Sequence, residues 1–188
     1  IQSFLDTSGF ADLQERNPSV DVTLELDEKL PHINGSEPHL KKSIMNLIVN
    51  AFDAMPEGGT ITVTTMQVEI ESLKSGLAVK AGRYVILSVR DTGVGIATDD
   101  LRKLFEPYYS KKKMGKSGTG LGMAVVWGTV KDHNGYIDLQ SSKGKGSRFT
   151  LYFPVTRKDL SKGQSKKSIE EYRGNGETVL VIDDVEEQ

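Results

Sequence analysis

The chain has 188 residues, 37% of them hydrophobic and 27% charged, and its formal net charge at pH 7 is −2. This length suits one domain with a sizeable core, and the near-neutral charge argues against nucleic acid as a partner. There is no cysteine, which excludes disulfides and cysteine metal sites, and no apolar run approaches the ~20 residues of a membrane span.

The chain starts at Ile1 rather than at a methionine, and we therefore expect a fragment of a longer protein. A cysteine-free sequence fits a reducing compartment. We accordingly expect a cytoplasmic location and no membrane contact by the fragment itself, whether or not the parent protein is anchored in a membrane.

In the first half of the chain, patterning predicts three strands and one long helix. Residues 20–28 alternate apolar and polar side chains, as a half-buried strand does. The helix follows with Ser36 as its N-cap and ends at the sequence PEGG. Residues 59–70 form a second strand and a third starts at Arg83, with a loop or hairpin tip at 72–82 between them.

In the second half, a short helix around residues 98–105 precedes a lysine- and glycine-rich loop, and another helix covers 121–133. The apolar side chains of this helix, Trp127 included, are expected in the core. Residues 135–142 and 147–155 pair as a hairpin across the turn KGKG. The elements together predict an α+β fold, with helices on one face of a mixed sheet and ligand chemistry at one end.

Three polar side chains share one ridge of the first long helix. Asn46, Asn50 and Asp53 are spaced i, i+4 and i+7, roughly opposite the apolar side chains. Asparagine is a middling helix former, so the pair of asparagines does not serve helicity. The ridge is either an ordinary solvated face or a row of amide oxygens that can coordinate Mg²⁺ beside substrate phosphates.

A second polar feature lies where the third strand ends, in the sequence RDTGVGI. Asp91 there can accept a hydrogen bond from an exocyclic amine, and Gly93 and Gly95 let a flat ring lie against the backbone. An ordinary turn explains the same pattern.

Glycines also cluster before the second long helix, at positions 115, 118, 120 and 122. Glycine costs backbone entropy, so such a cluster indicates either a loop that must move or a backbone that something approaches closely. A surface loop without function is the remaining alternative.

Four motifs occur in order: NLIVNAFDAM, DTGVG, LFEPYY and GTGLGM. In this order they resemble the N box, first G box, F box and second G box of the ATP-binding catalytic domain of sensor histidine kinases, in the GHKL ATPase superfamily. The resemblance covers roughly residues 20–155 and is closest to the nitrogen-regulation-like subgroup. It implies a Bergerat-type two-layer α/β sandwich, in which three helices cover a mixed sheet of about five strands and a mobile lid at about 108–119 closes over ATP.

The resemblance also implies a role for each matching residue. Asn50 corresponds to the Mg²⁺ ligand, Asn46 to its phosphate-side partner and Asp91 to the acceptor for adenine N6. Many relatives carry Lys or Arg where this chain has Asp53, so Lys111 or Lys116 in the lid is expected to supply the positive charge instead. The other positions implied to contact the nucleotide are Asp53, Ala54, Gly93, Gly95, Ile96, Gly118, Thr119, Gly120, Leu121 and Gly122.

Within the superfamily, hydrolases carry a glutamate four residues before the metal asparagine, where it activates water. Asn46 occupies that position here, which favours a histidine kinase over an ATP hydrolase. A nucleotide-binding module without its own chemistry is the third possibility. The chain's histidines, His32, His39 and His133, lack the acidic neighbour of a phospho-acceptor. The resemblance therefore implies two protein partners: a histidine-bearing dimerisation domain of the same protein and the receiver domain of a response regulator.

We expect four segments along the chain. Residues 1–19 are the end of a linker from the missing dimerisation domain, 20–156 the catalytic ATP-binding domain, and 157–176 a polar linker. Residues 177–188 resemble the start of a receiver domain, with a buried-type strand and the acidic pair Asp183 and Asp184. A further strand of the main domain is the alternative for this last segment.

Overall fold

A mixed sheet of five strands carries the fold, and helices cover one of its faces. The computed structural model describes residues 8–71, 79–109 and 120–156; the predicted hairpin tip, lid, polar linker and receiver segment fall largely or wholly outside these ranges. The chain divides after Thr156 into two units, and only the first is described here. Its elements are α1 (Ser8–Arg16), β1 (Val20–Leu26), α2 (Glu37–Asp53), β2 (Gly59–Ile70), β3 (Gly82–Asp91), α3 (Thr98–Leu101), α4 (Gly122–Asp132), β4 (Tyr136–Ser141) and β5 (Ser147–Pro154).

The strand order is β1-β2-β3-β5-β4. β1 and β2 run parallel, and the other three neighbouring pairs are antiparallel. This arrangement places the C-terminal end of β3 beside the N-terminal end of β5, where Asp91 pairs with Ser147. The predicted α+β fold with a mixed five-stranded sheet is thereby confirmed.

The core lies between the sheet and α2. Helix α2 buries its apolar ridge, and the sheet contributes side chains that alternate along each strand, as the pleat requires. The side chains that are at most 3% exposed include Leu47, Ile48, Ala51, Phe52, Ile61, Val63, Val89, Val126, Val130 and Leu151. These residues fix how α2 lies on the sheet and therefore where its polar ridge points.

Helix α4 packs antiparallel to α2. Near one end the Asn46 side chain contacts Gly122, and near the other end the backbone of Ser36 contacts His133. Ser43 lies on α2 between these two contacts and is 1% exposed, and its hydroxyl has no hydrogen-bond partner. A small residue at this position is consistent with a close approach of helices.

The element boundaries agree with the sequence patterns to within a few residues. Two details differ. Helix α1 falls in the stretch 1–19, for which the sequence analysis gave no secondary structure, and Phe10 from this helix joins the core at 8% exposure. Trp127 was predicted to be buried but is 38% exposed. Its ring lies 5.3 Å from that of Phe105, and Lys131 Nζ lies 4.5 Å above it, so this side of α4 is covered by side chains rather than by the sheet.

His133 is a buried packing residue. The Ser36 N–H donates to His133 Nε2 at 2.9 Å, so this nitrogen carries no proton, and Nδ1 then donates to the Thr129 carbonyl at 2.6 Å. The ring also meets Phe153 edge-on, with centroids 5.9 Å apart. The histidine therefore ties the start of α2 to the end of α4 and to β5.

The substitution His133→Phe keeps a ring against Phe153 but removes the acceptor for the Ser36 N–H. We expect it to lower the free energy of unfolding by about 1–3 kcal/mol, the cost of an unpaired buried donor. Urea unfolding followed by circular dichroism measures this change. His39→Phe, at an exposed position of α2, is the matched control and should change stability by no more than about 0.5 kcal/mol. Equal stability of the two variants would contradict the bridging role.

Candidate functional site

The site is centred on Asp91, the last residue of β3, whose side chain is 4% exposed. Its Oδ1 accepts hydrogen bonds from the backbone N–H groups of Gly93 at 2.9 Å and Ser147 at 3.2 Å. Burial raises the pKa of this carboxyl above its ordinary value, although the hydrogen bonds from Gly93 and Ser147 oppose the shift. The carboxylate is therefore held rigidly in a partly desolvated position, as a group that recognises a ligand requires.

The turn between β4 and β5 contacts the other side of the loop that follows Asp91. The sequence did not reveal this role. Ser141 Oγ accepts the Ile96 N–H at 2.8 Å and lies 2.9 Å from the Gly146 carbonyl and 3.1 Å from Ser147 Oγ. Gly146 has a φ of +76°, and a Cβ there would overlap the Asp91 carbonyl oxygen. The glycine and serine pattern SSKGKGS was the available signal, but it indicated only a turn.

The loop after Asp91 also packs against the end of α2. The Val94 N–H donates to the Ala54 carbonyl at 2.9 Å, and a Cβ on Gly93 would overlap that carbonyl oxygen. Gly95 has a φ of +65°, and a Cβ there would overlap the Ser142 carbonyl oxygen. Gly93 and Gly95 are thus needed because backbones meet on both sides of the loop, in addition to any room that they give a ligand.

The polar ridge of α2 runs from the start of α4 towards this loop. Asn46 Nδ2 donates to the Gly122 carbonyl at 3.1 Å, so Asn46 contacts the first residue of α4. Asn50 is half-buried one turn further along, and Asp53 is exposed beside Ala54. The structure therefore brings all three ridge residues to the side of α2 that connects the α4 N-terminus with the Asp91 loop.

The described residues on either side of the predicted lid are joined to each other. The Tyr108 N–H donates to the Gly120 carbonyl at 3.1 Å. Both residues have left-handed backbones, with φ of +65° and +68°, and a Cβ on Gly120 would lie 2.6 Å from the Tyr108 carbonyl carbon. We call this pair the neck. Lys111, Lys116, Gly118 and Thr119 lie between its two residues and outside the described ranges.

Helix α4 begins directly after the neck. Leu121 is its N-cap residue and makes no side-chain capping hydrogen bond, and Gly122 is its first residue. Helix N-termini carry unpaired N–H groups and partial positive charge, which suit anionic groups such as phosphates. Among the residues that the structure describes, no group of three or more His, Asp or Glu side chains is placed to hold a metal ion.

Comparison with known proteins agrees with this geometry. The family model described as "Histidine kinase-, DNA gyrase B-, and HSP90-like ATPase" matches residues 35–157. The chain belongs to this family. The match spans the ridge of α2, the Asp91 loop, the neck and α4, so the resemblance to histidine kinase catalytic domains and the expectation of an ATP-binding domain are confirmed.

Among the relatives of this ATPase domain, sensor kinase CckA of Brucella abortus (strain 2308) is 35% identical over 175 residues, which cover 87% of this chain and 18% of that protein. Sensor histidine kinase ZraS of Escherichia coli (strain K12) is 39% identical over 142 residues, which cover 74% of this chain and 27% of ZraS. The chain thus spans less than a third of these relatives.

Solved structures agree on the fold. The catalytic domain of histidine kinase ThkA superposes with a TM-score of 0.62 at 22% identity, covering 82% of this chain and 90% of that one. The mycobacterial sensor histidine kinase MprB gives a TM-score of 0.61 at 19% identity, covering 81% and 93%. Within the described part of the ATPase domain, no helix is both long and apolar enough to cross a bilayer.

Replacing the central carboxylate of the ATPase domain should weaken nucleotide binding and stabilise the empty protein. Asp91→Asn keeps an oxygen for the Gly93 and Ser147 N–H groups but removes the charge. A hydrogen bond to a charged acceptor contributes roughly 1.5–3 kcal/mol, so we expect ATP affinity, measured by calorimetry, to fall about ten- to a hundredfold. GTP affinity should fall much less, because the edge of guanine carries a carbonyl oxygen where adenine has its amine. Equal losses for ATP and GTP would show that Asp91 does not select the base.

The effect of Asp91→Asn on stability should depend on pH. Because the pKa of Asp91 is raised in the folded chain, its contribution to stability is present below the unfolded pKa of ~3.9 and is lost as pH rises through the folded pKa. The variant should therefore be more stable than the parent at pH 7, with the difference shrinking as pH approaches ~4. Asp21→Asn, at an exposed position of β1, is the matched control.

Proposed function

We propose that this ATPase domain binds ATP together with Mg²⁺ and presents the γ-phosphate to a histidine on a separate dimerisation domain. It is then the catalytic half of a protein histidine kinase. One observation carries the proposal: α2 joins two chemically different ends of one site. The Asp91 loop contacts Ala54 at one end, and the α4 N-terminus contacts Asn46 at the other. Eight helical residues span about 12 Å, which sets the separation of the two ends along the helix.

The Asp91 end is suited to the base. A carboxylate offers about four acceptor positions, and the described backbone hydrogen bonds to Asp91 engage Oδ1. The Asp91 carboxylate can therefore accept a further hydrogen bond, from an exocyclic amine. Gly93 and Gly95 add no side chains beside the carboxylate that would keep a flat ring away from it. This arrangement supports the assignment of Asp91 as the acceptor for adenine N6, with Ala54 and Ile96 beside the ring.

The α4 end is suited to the phosphates. The uncapped N–H groups that begin α4 at Gly122 can donate to phosphate oxygens. We assign further phosphate contacts to Asn46 on α2, to Gly120 and Leu121 at the start of α4, and to four lid residues outside the described ranges: Lys111, Lys116, Gly118 and Thr119. Asp53 borders the nucleotide, and the positive charge comes from Lys111 or Lys116.

Asn50 is the proposed Mg²⁺ ligand. Its side chain lies half-buried between the two ends of the site, and an amide oxygen is a hard ligand of the type that Mg²⁺ accepts. When bound, the ion would neutralise charge on the triphosphate; the protein's contribution is to fix the ligand and the phosphates relative to each other.

Asn46 and the histidines favour transfer over hydrolysis. Asn46 has no basic group to activate water, and its amide nitrogen already donates to the Gly122 carbonyl. His133 uses both ring nitrogens inside the fold. The exposed His32 and His39 are followed by Ile33 and Leu40 rather than by an acidic residue. Phosphoryl transfer depends on positioning and charge stabilisation, so an acceptor that docks correctly completes the reaction.

We also propose how the segments of this chain connect to the other domains of the parent protein. Residues 1–19 connect to the histidine-bearing dimerisation domain, 20–156 form the catalytic domain and 157–176 a linker. Residues 177–188 begin a receiver domain, and a response-regulator receiver is the final phosphate acceptor. We propose that the protein acts in the cytoplasm. The absence of cysteine from the sequence and the length of the polar linker support these assignments.

Asn50→Ala tests the metal ligand. In the parent chain we expect Mg²⁺ to raise ATP affinity, and in the variant we expect this gain to fall at least tenfold, because one ligand of the ion is lost. Calorimetric titrations of ATP with Mg²⁺ and with EDTA measure the gain directly. Asn34→Ala, at an exposed loop position, is the control. If the gain from Mg²⁺ is the same in Asn50→Ala as in the parent, Asn50 does not hold the ion.

We propose that ATP binding and the phospho-accepting histidine lie on separate domains, and ATP labelled in its γ-phosphate tests this. The chain alone should bind nucleotide, label none of its own histidines and release phosphate very slowly. Adding the two-helix histidine domain of the parent protein as a separate chain should give acid-labile label on that domain. Acid-labile label on the chain alone, or fast phosphate release without the partner, would contradict the proposal and favour the hydrolase instead.

A further inference from the structure

The end of the sheet next to the β4–β5 turn carries a polar groove of about 270 Å³. Side chains alternate along β3 and β5: Val89 and Phe149 belong to the core, whereas Arg90 and Arg148 are exposed. Both arginines line the groove, together with Gln140, Ser142 and Lys145. Asp91, Ser141, Gly146 and Ser147 line it as well, so the groove adjoins the candidate site at the turn.

Arg90 and Arg148 lie directly opposite each other on neighbouring antiparallel strands. Side chains paired in this way have Cβ atoms about 4.5–5.5 Å apart, and like charges there are destabilising. Within the described residues, neither guanidinium forms an ion pair or a hydrogen bond. The ion pair found in the described part of the chain joins Lys41 to Glu37, far from the groove in sequence. Two arginines facing each other without a counter-charge are the unusual feature of this surface.

No described carboxylate forms an ion pair with either arginine. Lys145 adds a third cation to the groove. Asp91 also lines the groove, but it is buried and its Oδ1 accepts from the Gly93 and Ser147 N–H groups. Asp138 lies two residues from Gln140 and accepts a hydrogen bond from Gln140 Nε2 at 2.9 Å. A chain with a net charge of −2 thus concentrates positive charge in one small concave region.

We propose that this groove binds a small dianion, phosphate or a dicarboxylate, that bridges Arg90 and Arg148. A guanidinium presents a planar fork of donors that matches phosphate and carboxylate oxygens, and one anion between two forks replaces their repulsion with charge-assisted hydrogen bonds. Lys145 adds a third positive charge, and the Ser142 hydroxyl can donate from the turn. The groove adjoins the proposed nucleotide site, since Asp91 and Ser147 line it beside Arg90 and Arg148.

Backbone NMR of the full 188-residue chain tests this inference, with inorganic phosphate and malonate titrated separately in the presence of saturating MgATP. We expect saturable shifts of the amides of Arg90 and of residues 140–148 with at least one of the two probes. Arg90→Gln and Arg148→Gln should each weaken that binding roughly ten- to a hundredfold. Arg83→Gln, at an exposed position at the other end of β3, should leave it unchanged.

The two probes distinguish the ligand class: a response to phosphate alone indicates a phosphate group, and a response to malonate alone indicates a dicarboxylate. Either result supports the site, as does binding of both. Absence of saturation with both probes, or equal affinity in the two Gln variants and the parent, would overturn it. Thermal unfolding without anion provides a second measurement, because removal of either arginine relieves repulsion. A lower unfolding temperature for Arg90→Gln in anion-free buffer would also overturn the proposal.

Discussion

The fixed position of the Asp91 carboxylate is the constraint on which the rest of the structure depends. A buried carboxylate is unfavourable unless hydrogen bonds compensate for its lost hydration. The two backbone donors come from different places: Gly93 follows in the same turn, and Ser147 begins β5. The pairing of β3 with β5 is therefore what completes the acceptor. Gly146 belongs to the same constraint, since its missing Cβ allows the β5 backbone to reach this point.

Helix α2 transmits that constraint to the other end of the site. Its apolar ridge is clamped on the sheet by residues such as Leu47 and Ile48, which are at most 1% exposed. The polar ridge has little freedom as a result. The contacts of α2 and its C-cap residue with Gly122 and Val94 position α4 and the Asp91 loop relative to one helix. Positioning of this kind is what phosphoryl transfer asks of a protein, because the metal and the acceptor supply most of the remaining chemistry.

Local sequence was sufficient for most of the elements. The periodicity of α2, the alternation of the strands and the glycine turns each depend on neighbours within a few positions, and the structure agrees with them. The contacts that hold these residues in place join distant parts of the chain. Ser147 meets Asp91 across 56 positions and Ser36 meets His133 across 97, so no local pattern could indicate either pair.

Helix α1 was missed for a related reason: it is short and amphipathic, and the burial of Phe10 depends on the core that the rest of the chain forms. Trp127 was misplaced because periodicity shows which residues of α4 are apolar but not what covers them, and Phe105 and Lys131 cover Trp127 only in part.

The neck has a consequence for how relatives of this domain can diverge. Because the Tyr108 N–H donates to the Gly120 carbonyl, the two ends of the segment between them are held together whatever its length. The entropy of closing a flexible segment grows only with the logarithm of its length, at about 0.6 kcal/mol for each doubling. Insertions and deletions between these two residues therefore cost the fold little, whereas a single extra residue in the β4–β5 turn would displace the carboxylate. Homologous domains should accordingly vary in size at one border of the nucleotide site while keeping the other border constant.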